Sequence, residues 1–157
     1  MSNAKIELMH IQLELLNNRS QHLRHFVDQY YCYRHGFVRK RGNAHWEGMV
    51  WKGLVSVAAR TLHGNRQSVV KEHVVPLRVI RQELCDLIPQ QKLGLDDIAA
   101  VLDELTHFGT ITKTEDALLR QAGLTSRMPD GFGTPGHPYH RDVLSRYKHV
   151  GIVLEPD

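Results

Sequence analysis

Residues 71–77 read KEHVVPL and set a carboxylate, Glu72, directly beside an imidazole, His73. Histidine is the side chain whose ordinary pKa suits proton transfer near neutrality. The pair therefore reads either as a reaction centre or as one more polar pair at the edge of an apolar core. Successive strand residues face opposite sides, so an extended Glu72–His73 needs a bend to aim both groups at one point. In the plain alternative Val69, Val70, Val74, Val75 and Leu77 are buried, Lys71 and Glu72 stay in water, and His73 caps a helix or bonds a carbonyl.

Three other groupings carry chemistry. His22, His25, Cys32 and His35 follow the order of zinc ligands. On one unbroken helix, however, His22 and His35 stand about 20 Å apart, and ligands must converge on one ion. His137 and His140, with Asp142 close by, follow the glycine- and proline-rich loop MPDGFGTPGHP (128–138) and supply two nitrogens for a metal. The third grouping is YYCYRHGFVRKRGNAHW (30–46), where Tyr30, Tyr31, Tyr33, Phe37 and Trp46 interleave with Arg34, Arg39, Lys40 and Arg41. Cations neutralise phosphates and aromatic faces stack on unpaired bases, which makes this segment the best nucleic-acid candidate in the chain. Its plain reading is a helix with inward tyrosines whose C-terminal cations offset the dipole.

KEHVVPL followed by a helix resembles the first segment of the HNH, or ββα-metal, nucleases. The resemblance implies that Glu72 ligates a divalent metal and that His73 is the general base that activates water, so that both are catalytic. The family's later asparagine has no counterpart, since no asparagine follows His73, and the helix at 76–88 contains no histidine. His107, His137 and His140 are the substitutes on offer, and the metal set expected on this reading is Glu72, His137 and His140. More broadly, KEHVVPLRVI, ITKTEDALL, GLTSRMPDG and SRYKHVGI resemble a pattern in short, uncharacterised bacterial proteins borne on phages or plasmids, with no assigned chemistry.

The elements that must position these residues are mostly helical. The periodicity of Ile6, Met9, Ile11, Leu13, Leu15 and Leu16 predicts one helix, and Leu23–Tyr33, stopped by Gly36, a second. Trp46, Met49, Val50, Leu54, Val57, Ala58 and Leu62 form an amphipathic stripe that predicts a third, up to Gly64-Asn65. VVKEHVV reads as a short strand or a helical turn. Pro76 opens a helix over 76–88, and LGLDDIAAVLDEL makes another. Thr112 and Glu115 form a capping box after a β-prone stretch, for a helix that Gly123 closes. Pro138 opens a last helix, and GIVLE is a terminal strand. The fold class expected is mainly α: a single compact helical domain over 5–157, with five to seven helices and two or three short strands. Residues 1–4 are set aside as an expression remnant.

The bulk numbers limit the functions. The chain has 157 residues, 41% of them apolar, and a formal charge of +3, which permits a polyanionic partner without demanding one. Two cysteines suit a reducing, cytoplasmic setting, and no stretch has the length to span a membrane. Neither a serine–histidine–aspartate order, nor a phosphate-cradling glycine loop, nor a CxxC pair occurs. The expectation is nucleic-acid binding, to DNA or RNA, through Tyr33, Arg34, Arg39, Lys40 and Arg41. Two alternatives stay open: an HNH-like metal nuclease, and a helical module that binds or inhibits a protein partner.

Overall fold

Ser2 opens the first element. Its hydroxyl accepts the Lys5 N–H (3.3 Å) and caps α1, Asn3–Leu16. The computed structural model describes residues Met1–Asp157. α1 stops where Asn18 takes a left-handed φ of 53°. α2, Leu23–His35, ends on Gly36, whose φ of 77° is open to glycine at little cost. The remaining elements are β1 (Leu54–Ser56), α3 (Val57–Arg60), β2 (Val69–His73), α4 (Leu77–Asp86), α5 (Leu95–Leu105), β3 (Phe108–Thr112), α6 (Lys113–Gln121), α7 (Ser145–His149) and β4 (Leu154–Pro156).

The chain divides into two compact units. One comprises Met1–Gly48 with Leu77–Thr106, the other Met49–Pro76 with His107–Asp157. The first is helical. α1 packs on α2 and α5, and α4 packs on α2 and α5, which buries Ile11, Leu15, Leu23, Val27, Ile80, Leu84, Ile98, Leu102 and Leu105. The second is built on a four-stranded sheet of order β2-β3-β1-β4. β1 runs parallel to β3, and the other pairs are antiparallel. Every residue of β3 is buried, as suits a central strand covered on both faces. Val74, Ile111, Leu119, Leu124, Tyr147, Ile152 and Leu154 form one apolar cluster. Val50, Val55, Ala59 and Val69 form a separate cluster.

Seven helices and a small sheet match the helical expectation in outline, with one strand more than the two or three predicted. The departures are local. Residues 46–62 do not form the single amphipathic helix expected. Trp51 (φ 65°) and Gly53 (φ 72°) break the chain in left-handed conformations, and β1 then pairs with β3. The last helix is confined to Ser145–His149, because Arg141 is left-handed (φ 56°) and Asp142 accepts the Leu144 N–H (3.0 Å). No helix is long and apolar enough to cross a membrane.

Candidate functional site

Glu72 and His73 are the last two residues of β2, paired with Gly109 and Phe108. The strand is regular there, so neighbouring side chains diverge. Glu72 turns to Arg146, and His73 lies against the Phe108 ring at 4.4 Å between centroids. Lys71, two residues before His73, stands over the same Phe108 ring at 5.9 Å.

Arg146 has no solvent exposure at all. Its Nε donates to Val74 O (3.0 Å), and Nη1 donates to Leu124 O (2.8 Å). Nη2 donates to Glu72 Oε1, to His73 O and to the Tyr147 hydroxyl. One planar guanidinium thus gathers the end of β2, the loop after α6 and the start of α7, a geometry to which an arginine fork is suited. The Glu72 side chain is only 16% exposed. Burial pushes its carboxyl up, while the Arg146 charge and hydrogen bond pull it down. Burial also pushes the Tyr147 phenol up. The plain reading that left Glu72 in water is corrected here: the charge is taken inside and paired. Sequence reasoning missed Arg146 and Tyr147, although SRYKHVG contains both; an arginine between small and aromatic residues in a short helix was the available signal.

The two loop histidines are exposed. His137 Nδ1 accepts the Tyr139 N–H (3.0 Å), and its ring lies so close to Gly131 that a Cβ there would collide with it. The loop is bound to itself: Arg141 N–H donates to Phe132 O (3.0 Å), and the Arg141 guanidinium lies over the Phe132 ring at 5.3 Å. Asp142 takes Lys148 at 2.6 Å. No group of three or more histidine, cysteine or acidic side chains is placed to share a metal ion. In the cysteine–histidine series on α2, Cys32 is fully buried whereas His22, His25 and His35 are exposed.

The basic-aromatic segment separates into inward and outward parts. Tyr30 is buried, and its hydroxyl donates to Asp103 (2.8 Å). Burial, then that hydrogen bond, pushes its phenol up to about 12. Arg34 faces the same Asp103 at 3.7 Å, so its charge is offset. Tyr33 is half-buried on α2. Tyr31 stacks on Phe37 with planes 7° apart and touches His35. Beyond Gly36 the chain makes a tight hairpin: Val38 bridges Ala44, Arg39 N–H donates to Asn43 O (2.8 Å) and Gly42 N–H to Arg39 O (2.8 Å). Gly42, at φ 85°, is the left-handed position this turn needs. The hairpin thrusts Arg39, Lys40 and Arg41 into solvent. All three, with Asn43, Ala44 and Trp46, line a concavity of about 670 Å³. No carboxylate pairs with any of these three cations. Comparisons with protein-family models, with curated proteins and with solved structures returned no match.

Proposed function

We propose that this protein binds nucleic acid through the hairpin at 38–44. The observation that carries the reading is the convergence of three exposed, unneutralised cations with a tryptophan on one concave surface. Phosphates would meet Arg39, Lys40 and Arg41. Tyr33 and Arg34 precede the hairpin on α2, and Arg34, whose charge is partly offset by Asp103, lines a different concavity. Neutralising three phosphates of a single strand predicts a slope of log K against log salt of about −2. Fluorescence anisotropy with labelled oligonucleotides from 25 to 200 mM salt tests it. The triple variant Arg39→Gln/Lys40→Gln/Arg41→Gln is expected to flatten the slope, and chelator to leave wild-type binding unchanged. Salt-independent binding, or a triple variant that binds like wild type, refutes the reading.

Two other readings each have a specific observation behind them. Metal-dependent cleavage by Glu72 and His73 keeps the KEHVVPL pair at a strand end leading into α4, but it requires Glu72 to exchange Arg146 for a cation. Its test is nicking of supercoiled plasmid with magnesium, manganese or zinc, abolished in His73→Ala. A protein partner is favoured by Met9, Leu13 and Leu16, which stay exposed on one side of α1. A Leu13→Asp variant that loses a co-purifying protein would support it.

A further inference from the structure

We infer that the hairpin site takes an unpaired strand, with bases stacking on Trp46 and His25, and that it discriminates against duplex. This rests on the nucleic-acid reading above and adds to it the class of strand. Trp46 is half-buried at the edge of the cationic concavity, and it is also the first of a run of rings. Its centroid is 6.4 Å from that of His25, tilted 43°. His25 lies 5.5 Å from Phe26, edge-on at 70°, and Phe26 lies 4.9 Å from His10. The rings lead away from the hairpin, across α2 and onto α1.

A base slotted between two rings needs about 7 Å, twice the stacking rise of roughly 3.4 Å. The Trp46 and His25 centroids are 6.4 Å apart, but the 43° tilt leaves no parallel slot until one ring turns. His25 is exposed and hydrogen-bonds Gln29 at 3.2 Å, so its ring can turn toward parallel without disturbing the core. The run ends at His10, whose Nδ1 sits 3.2 Å from the Glu7 carboxylate. A negative charge there repels a phosphate, so the usable platform is Trp46, His25 and Phe26. In a duplex the base faces are already stacked on one another and unavailable to these rings, which leaves the three hairpin cations as the whole contact.

The test compares four labelled ligands on the wild-type chain at 50 mM salt: a 12-mer of oligothymidylate, a 12-mer of oligouridylate, a 12-base-pair duplex, and an abasic 12-mer with the phosphates but no bases. At least one single strand is expected to bind about 10-fold tighter than both duplex and abasic strand. The two single strands distinguish DNA from RNA. Trp46→Leu and His25→Ala are expected to remove that advantage, read within each variant as the ratio of single-strand to duplex affinity. Equal affinity for the single strands, the duplex and the abasic strand, all salt-sensitive, overturns this inference and leaves the hairpin reading standing. No salt-sensitive binding to any of the four overturns both. The abasic comparison needs no variant, so a failure of Trp46→Leu to fold does not spare the proposal.

Discussion

Arg146 donates in several directions from a place that water does not reach, and its acceptors include the half-buried carboxylate of Glu72. Removing one member of such a pair is far costlier than removing both, because the survivor is left charged and unpaired. Arg146→Met is expected to lose about 3–5 kcal/mol in urea unfolding. The double variant Glu72→Leu/Arg146→Met should lose less than Arg146→Met alone. Losses that simply add would mean that the two charges are not coupled. The pH dependence has a definite sign. Burial raises the Glu72 carboxyl above its ordinary 4.5, so the folded chain holds that proton more tightly than the unfolded chain. Its contribution to stability is complete below pH 4.5 and is lost as pH rises through the raised value. Urea midpoints of wild type and Glu72→Gln between pH 4.5 and 7 check this: wild type should lose ground to the variant as pH rises. A gap that moves in the wild type's favour would show a carboxylate ionised throughout. At Gly131 the geometry is equally sharp. Gly131→Ala drives a methyl group into the His137 ring and should lower the melting temperature, whereas in a His137→Ala background the same change should be close to neutral.

Elements stood out in the sequence where a local device specified them. Thr112 and Glu115 are an example: Thr112 Oγ1 accepts the Glu115 N–H (3.1 Å), and Glu115 Oε2 accepts the Thr112 N–H (2.8 Å). Gly36 ended α2 as expected, and VVKEHVV, open in sequence between a strand and a helical turn, became a strand over Val69–His73. The stripe over 46–62 misled because Leu54, in its middle, enters a parallel pairing with β3, more than fifty residues further on, and no local pattern encodes a partner that distant. The same holds for the site. The hairpin cations were legible because solvated charges need no partner, whereas the Arg146 centre was not, since it joins residues 72 and 146. One contact that sequence did not show extends the capping box. Ser56 Oγ donates to Glu115 Oε2 (2.6 Å) and accepts the Ala59 N–H (3.0 Å), so one hydroxyl joins the starts of α3 and α6. Glu115→Ala is expected to cost about 2 kcal/mol, and its effect should not add to that of Ser56→Ala. Thermal melts of the two single variants and the double variant measure the coupling, and strict additivity would remove the link.

At the scale of the whole molecule, each unit is built from two separate stretches of chain. The sheet-bearing unit uses 49–76 and 107–157, so a fragment beginning at Met49 contains all of it. That fragment also carries α4 and α5, which belong to the helical unit, without α1 and α2. In the intact chain α1 packs on α5 and α2 on α4, and Ile80, Leu84, Ile98, Leu102 and Leu105 are sealed from water. Burying a leucine or isoleucine side chain is worth about 1.5–3 kcal/mol, and much of that is forfeited when the covering helices are absent. The fragment 49–157 is therefore expected to expose a continuous apolar surface, to bind a hydrophobic dye and to self-associate. It should also lose the salt-sensitive binding, because Arg39, Lys40, Arg41 and Trp46 are gone. Dye fluorescence, sedimentation and anisotropy on the fragment measure all three. A monomeric fragment with a cooperative melt and no dye binding would show that α4 and α5 fold without α1 and α2. A fragment that binds oligonucleotide like the full chain would move the nucleic-acid site off the hairpin.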